Sequence, residues 1–408
     1  MKKILSTTAS LSLALALTSS PIFAQEGEKP VSASVEGHIF KPARVDATDD
    51  RVKQLKVPAG FQITKFAENL NKPRMIAVSK EGVIYVTDRD KGTVTMLRDT
   101  NKDGKADEQK VVATKEHMHG IVIKDDKVWL ATIKELYTAN INKDGTLSEL
   151  QLLADDLPDG GQHPNRTLRI GQDNKLYISI GSTCNSCDEP NKEHATILQA
   201  DLDGKNRKVY AKGLRNTLGF DWHPQTKEMF GMDHGIDWLG DDEQREELNK
   251  IEQGADYGWP YIYGEGKENP GDQPKDMSYE AYKKKTRYPL LTYTAHASGL
   301  DMIFYRGNQF PKEYSGDAFV AFHGSWNRSK PAGYKVARVR FENGQPKEFV
   351  DFVTGFLVDD NKAQFGRVVG LATHTDGSLL VTDDSNGVVY RVAYTGGNQQ
   401  RDTQRNRR

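Results

Sequence analysis

The sequence predicts an all-β fold, a six-bladed β-propeller with four-stranded blades, on three observations. Helical periodicity is scarce along the 408 residues, while short alternating apolar runs separated by turns rich in Asp, Gly and Asn recur throughout. Six such run–turn–run units begin at Arg74, His119, Arg166, Arg215, Ser298 and Arg367. The first four starts are 45, 47 and 49 residues apart, and a four-stranded blade takes about 40–50 residues.

The units follow one another as "RMIAVSKEGVIYVTD" from Arg74, "HGIVIKDDKVWLAT" from His119 and "RTLRIGQDNKLYISIG" from Arg166. "RNTLGFDWHPQTKEMFGMDHG" begins at Arg215, "SGLDMIFYRGNQFPKEYSGDAFVAFHG" at Ser298 and "RVVGLATHTDGSLLVTDD" at Arg367. The fifth start follows 83 residues after the fourth, a step that holds a polar, aromatic and Pro/Gly-rich insertion at 257–289. The last step, 69 residues, is also long. One propeller accounts for this spacing, whereas a pair of sandwich domains leaves it without a cause.

Domain boundaries follow from composition. "MKKILSTTASLSLALALTSSPIFA" has a basic start, a short apolar run and a small residue at Ala24, the pattern of a signal peptide over 1–24. The run is too short for a permanent membrane span. Residues 25–50 are expected as an extension largely outside the propeller, 51–397 as the propeller, and 398–408 as a basic flexible tail. Export, to the periplasm or beyond, is the expected location. A net charge of −1 implies no broad basic face, which argues against a nucleic-acid partner.

Cys184 and Cys187 are the two cysteines of the chain. In an oxidising compartment they read as a local disulfide. A c-type haem site would need histidine where Asp188 stands, and no second ligand pair supports zinc. "DTNKDGKADEQK" (99–110) has EF-hand-like offsets but ends on Lys110 rather than Glu, so it reads as a turn with weak Ca²⁺ binding as the alternative.

In a propeller the start of each innermost strand lines the mouth of the central channel. Arg74, His119, His163 with Arg166, Arg215 with Asn216, Ser298 and Arg367 are therefore expected to converge there. Four arginines on one axis imply an anionic ligand, because cations packed together without compensation are costly. His117, His234, His296 and His323 fall on the same rim.

These stretches carry a resemblance. "QHPNRTLRIGQDNKLYISIG", "GLRNTLGFDWHP", "DHGIDWLGDDEQREELNKIEQGADYGWP", "FHGSWNRS" and "GRVVGLATHTDG", in this order, resemble the soluble pyrroloquinoline quinone (PQQ)-dependent sugar dehydrogenases, the glucose/sorbosone dehydrogenase family. The likeness runs from 69 to 396. It implies His163 as catalytic base and Arg215 as both catalytic and cofactor-binding. It implies Asn216 and Arg367 as cofactor ligands, with Arg74, His119, Arg166, Trp326 and Arg328 completing that set, and the carbonyls of Gly235 and Ile236 as the Ca²⁺ site. Gln162 replaces an Asp of the glucose-oxidising members, their cofactor lysine has no clear counterpart, and Phe365 replaces an arginine. These departures favour the sorbosone or pyranose branch.

The implied chemistry is oxidation of an aldose or sugar-derived alcohol or aldehyde. His163 removes a proton as hydride passes to PQQ, with Ca²⁺ as Lewis acid and an external cytochrome or quinone as final acceptor. Trp259, Tyr261, Tyr263 and Tyr282 of the insertion are expected either over the sugar ring or in an ordinary surface loop. An unperturbed imidazole would lose activity through a pKa of about 6.5. Two rivals are a calcium-dependent lactonase, which would need acidic side chains on the axis, and a binding propeller without chemistry.

Overall fold

The computed structural model describes residues 37–396; the expected signal peptide and basic tail lie outside the described residues. Among these residues the α-helices are two short ones, Asp49–Val52 and Tyr279–Lys283. No helix is long and apolar enough to cross a membrane.

Six four-stranded antiparallel sheets make up the body, the arrangement of a β-propeller. The first is Pro73–Val78, Ile84–Asp88, Thr93–Arg98 and Glu108–Thr114. The second is Gly120–Lys124, Lys127–Ala131, Leu136–Asn140 and Gln151–Ala154, and the third Leu168–Ile170, Leu176–Ile180, Thr196–Ala200 and Lys208–Lys212. The fourth is Gly219–Trp222, Met229–Asp233, Glu246–Ile251 and, beyond the insertion, Leu291–Tyr293. Gly299–Phe304, Ala318–Phe322, Lys335–Glu342 and Gln345–Val353 form the fifth. The sixth joins Val368–Thr373, Leu379–Asp383 and Val388–Tyr394 to Phe61–Ala67 from the other end of the chain. Each sheet opens at or within a few residues of one of the six starts read from the sequence.

The second strands are buried on both faces, which is why "LYISI", "AFVAF" and "LLVTD" are apolar runs instead of alternations. Outermost strands such as Glu108–Thr114 meet water and mix charge with Val. Apolar side chains interlock between neighbouring sheets. Met75, Tyr85 and Met96 pack with Ile121, Val128 and Leu130, and Phe230 and Met232 pack with Met302, Phe304 and Phe322. Each fully buried side chain of this kind contributes about 1.5–3 kcal/mol, and only against a neighbouring sheet.

A hydrogen bond joins every consecutive pair of sheets near the first strands. Thr87 Oγ1 donates to the His119 carbonyl (2.8 Å), and His119 Nδ1 to the Arg166 carbonyl (2.9 Å). Ser182 N donates to the Arg215 carbonyl (2.8 Å), and His234 Nε2 to that of Gly299 (2.9 Å). Arg367 Nη2 donates to Gly324 (2.7 Å), and Thr382 Oγ1 closes the series on the Arg74 carbonyl (2.6 Å). Glycine is required where first strands meet. A Cβ at Gly120 or Gly370 would press on the Arg166 or Arg74 carbonyl, and one at Gly219 on the backbone of Asp301 and Met302.

The described part of the expected extension lies against the sheets. Ala43–Arg44 pairs with Ala363–Gln364, and the Phe40 N–H reaches the Trp326 carbonyl at 3.1 Å.

Candidate active site

A repeated device sets the strand starts. At the end of the second strand in the first, fourth and sixth sheets stands a buried aspartate, in "VTDRD", "GMDHG" and "VTDDS". Asp88 accepts from the Lys72 N–H (3.0 Å), and Asp383 from the Arg367 N–H (2.8 Å). Asp233 accepts from the N–H groups of Arg215 (3.0 Å) and Asn216 (2.9 Å) and from Thr217 Oγ1 (2.7 Å). Burial pushes Asp233 up to about 6 and Asp383 up to about 7, against these bonds. The residues that follow the clamps, Arg89, His234 and Asp384, sit at equivalent points of the repeat.

His163 lies at the junction of the third and fourth sheets. Its Nδ1 is 3.0 Å from the Ser182 carbonyl and 2.9 Å from Ser182 Oγ, and that hydroxyl donates to the Cys184 carbonyl (2.7 Å). A carbonyl only accepts, so the proton sits on Nδ1 and Nε2 carries the lone pair. No described residue reaches Nε2 with a hydrogen bond. Burial, and then the charge of Arg215, push this imidazole down to about 2, so it is neutral at any working pH. The inflexion expected near 6.5 is thereby corrected: a half-buried imidazole beside a guanidinium does not titrate as a free one.

Arg215 is buried and held by the loop of the disulfide. Its Nε donates to the Asn185 carbonyl (2.9 Å), and its Nη2 to Asn185 Oδ1 (2.7 Å) and Asp237 Oδ2 (3.2 Å). Cys184 and Cys187 are bonded to each other, and Asn185 lies between them. Asn216 Nδ2 is 3.2 Å from His234 Nδ1. His234 is thus engaged at both nitrogens, since its Nε2 is committed to Gly299.

Across the rim, Asp384 receives Arg74 Nη1 at 2.5 Å and His323 Nε2 at 2.9 Å. Despite burial, His323 and Arg74 hold the Asp384 carboxyl well below the usual range. Burial and Arg367 push His323 down to about 4 even so. Arg367 gives Nε to the His323 carbonyl (3.3 Å), Nη2 to Gly324, and its guanidinium lies 5.7 Å from the Tyr334 ring centre.

The structure separates residues that the sequence grouped. Arg166 is wholly buried, and its donors meet the carbonyls of Ile133, His163, Asn165, Pro158 and Asp159. It braces the loop that carries His163 and has no donor left for a cofactor. Arg328 is tied to the carbonyls of Asp241, Ala295 and Lys330 and to Asp242 at 3.5 Å, away from the arginine cluster. Trp326 packs edge-on against Trp238 (5.3 Å) under Lys41 of the N-terminal segment. Asn327, which stands between them, is the one that reaches the site, at 2.8 Å from Asp237 Oδ1. Uncompensated charge was the reason for expecting an anion at four arginines. Asp384, Asp237 and backbone carbonyls in fact engage those four, while Arg89 makes no hydrogen bond or ion pair with any described residue.

His119 faces the same junction region with Nδ1 committed and a buried Nε2 that has no partner. Gly235 and Ile236 follow His234, and their carbonyls accept no hydrogen bond from a described residue. Beside them Glu246 is pushed up to about 8 by burial, with Oε2 unpartnered. In the insertion, Tyr261 bonds Asp188, Tyr282 bonds Asp256 (3.0 Å), and Trp259 Nε1 reaches the Asn185 carbonyl (3.4 Å). Tyr263 lies under Lys267. Trp259 and Tyr261 thus bind the insertion to the disulfide segment. In 99–110 the carboxylates cap backbone N–H groups, as in Asp99 to Gly104 (2.8 Å).

Ser182, Asn185, Asp237, Asn327, Asp384 and Arg89 escaped the sequence reading. The Asp repeated at the end of the second strand in the first, fourth and sixth sheets was a usable signal for Arg89 and Asp384; nothing local marks the others.

Comparison with known proteins gives the family and the fold. The sequence profile of the TrAA12-like family matches residues 55–395. An uncharacterized protein of Borreliella burgdorferi is 34% identical over 366 residues, covering 85% of this chain and 93% of that protein. The pyrroloquinoline quinone-dependent pyranose dehydrogenase of Coprinopsis cinerea is 25% identical over 84% of this chain, which spans 55% of that enzyme's length. The fold superposes on the calcium structure of the Trichoderma reesei family AA12 enzyme with a TM-score of 0.73, at 20% identity, covering 88% of this chain and 98% of that one. The PQQ domain of the Coprinopsis pyranose dehydrogenase gives 0.71 at 21% identity, covering 87% of this chain and 100% of that one. The chain belongs to the TrAA12-like family, among the PQQ-dependent sugar dehydrogenases that its motifs resemble.

Proposed function

We propose that this protein is a PQQ-dependent, Ca²⁺-assisted dehydrogenase of an aldose or of a sugar-derived alcohol or aldehyde of the sorbosone kind. It acts in the periplasm after loss of residues 1–24, and an external cytochrome or quinone reoxidises it. The six sheets are the six blades of one propeller, with the site at the mouth of its channel. The observation that carries the reading is His163: Nδ1 pinned to Ser182, Nε2 unengaged, and a buried guanidinium held beside it.

The residues fit an anionic cofactor. Arg74 and Arg215 pair with Asp384 and Asp237, while the guanidinium of Arg367 is held by backbone carbonyls and that of Arg89 is unbonded, so donor forks are available to an anion. Arg74, Arg367, Arg215 and Asn216 would hold PQQ. The free carbonyls of Gly235 and Ile236 are hard oxygen donors suited to Ca²⁺. Bound PQQ supplies the acceptor for the hydrogen and two electrons that leave the sugar carbon.

The chain's own part is proton removal and charge placement. His163 Nε2 takes the proton of the substrate hydroxyl, and Ser182 fixes the tautomer that makes this possible. Arg215, kept in place by Asn185 and Asp237, sets positive charge where negative charge develops, at no cost of reorganisation.

Titrating apoprotein with PQQ and Ca²⁺, then adding aldoses and an artificial electron acceptor, tests the reading. Turnover should require both additions and be lost on chelation. Tight PQQ binding with no turnover on any aldose would favour the binding propeller, and ester or lactone hydrolysis without PQQ would favour the lactonase.

A further inference from the structure

Arg89 follows the Asp88 clamp, at the point of the repeat where the fourth sheet has His234 and the sixth has Asp384. Those two are fully engaged, His234 by Asn216 and Gly299, and Asp384 by Arg74 and His323. Arg89 is half-buried and makes no hydrogen bond or ion pair with any described residue, and its Nε is buried without a partner. Its charge lies near enough to Arg74 and His119 to act on both.

Two further polar atoms in this corner are orphaned. Arg74 uses Nη1 on Asp384, but its Nε is buried and unpartnered. His119, 1% exposed, has a buried Nε2 with nothing to accept from. Asp384 is already shared by Arg74, His323 and the field of Arg367, and Asp90, whose charge acts on Arg89, is exposed and bound to Lys72. A half-buried guanidinium with no bonded partner lowers the stability of the empty protein, because its desolvation is not offset by a hydrogen bond or ion pair. An arginine kept for the fold would be placed as Arg166 is, with its donors on carbonyls.

We propose that Arg89 is an anion-binding residue of the cofactor site, receiving a carboxylate of the ligand at the junction of the first and second sheets. This rests on the PQQ reading above and deepens it. The ligand group has the chemistry of a carboxylate because a planar fork of donors, next to a second arginine, matches its two oxygens. The role falls to Arg89 and not to Arg166, whose donors are all placed on carbonyls.

The test uses the full chain and follows PQQ binding by quenching of tryptophan fluorescence, for wild type, Arg89→Gln and Arg89→Lys, with the melting temperature of each apoprotein. PQQ and its trimethyl ester are compared as ligands. Arg89→Gln should weaken PQQ about tenfold to a hundredfold, the range for a lost charged hydrogen bond, and narrow the preference for acid over ester. Arg89→Lys should fall between. The apoprotein of Arg89→Gln should melt no lower than wild type. Unchanged PQQ affinity in Arg89→Gln would overturn the proposal, as would weaker binding that comes only with a lower apoprotein melting temperature. Wild type that fails to bind PQQ at all would overturn the cofactor reading itself, a result distinct from either.

Discussion

On the side of the rim built by the third and fourth sheets, a histidine and an arginine stand together and each is held from behind. Ser182 takes His163 by Nδ1, and Asn185 with Asp237 takes Arg215, so the imidazole Nε2 is left over. On the side built by the fifth, sixth and first sheets, a histidine and an arginine also stand together, but Asp384 lies between them and receives both. His323 there presents Nε2 to a carboxylate, not to a substrate. Residue type is the same on both sides. What separates a base from a brace is which ring nitrogen a neighbouring group has already claimed.

The sharpest way to break this comparison is to remove each histidine. His163→Ala should lose turnover by at least about a hundredfold, the contribution of a general base, with PQQ affinity kept. His323→Gln should lose far less turnover in stopped-flow reduction of bound PQQ. Equal losses would end the distinction. The wild-type turnover should also show no inflexion near pH 6.5, since burial and Arg215 hold His163 neutral down to about 2. A bell centred there would assign the base elsewhere.

Next in size is Asp384→Asn, which leaves Arg74 and His323 facing a neutral group. Breaking a buried pair of this kind costs about 3–5 kcal/mol of stability, readable by denaturant unfolding. The pH dependence follows from sign. The folded carboxyl is held below its unfolded value of about 3.9, so its contribution is present above that pH and is lost as pH falls through the lower folded value. Acidification below about pH 4 should therefore cost Asp384→Asn less than wild type. Asp383, raised to about 7, works the other way: its contribution is full below the unfolded value and fades as pH rises to 7.

The smallest effect tests the support of the working side. Asn185→Ala removes one acceptor, Oδ1, from Arg215 and leaves the backbone carbonyl in place, without touching His163. A fall of about tenfold in kcat, with KM for the sugar little changed, is expected from one lost charged hydrogen bond. Reducing Cys184–Cys187 should reproduce part of it, because the disulfide spans Asn185. A fall in KM-dependent rate alone would show that the loop serves the substrate instead.

Much of the sheet pattern was legible, since alternation and spacing are local properties, and all six first strands open where the starts had been read. The nearness of His163, Arg215 and Asn216 to one another was legible too, from motif and position. The partners were not. Arg74 and Asp384 are 310 residues apart, and Arg328 and the Asp241 carbonyl 87, so only the fold says that these cations are engaged. Arg166 misled for the same reason. A strand-start arginine that points inward to five carbonyls and one that points into a channel have the same sequence neighbours.

The sixth sheet borrows Phe61–Ala67 to flank Val388–Tyr394, and Gly387 sits against the Leu70 carbonyl where the two ends of the chain pass. A nascent chain therefore has no partner for its residues 61–67 until more than three hundred residues later. Those contacts, with the bond of Arg44 to Asn386, are among the most distant in sequence, and closing them is expected to be a slow, late step of assembly. The same clasp sets how the molecule yields to force. Tension applied at Phe61 and Tyr394, which are paired, loads one pair of antiparallel strands inside a single sheet, so the outer strand peels before any interface between sheets is strained, and the arginine rim outlasts that break.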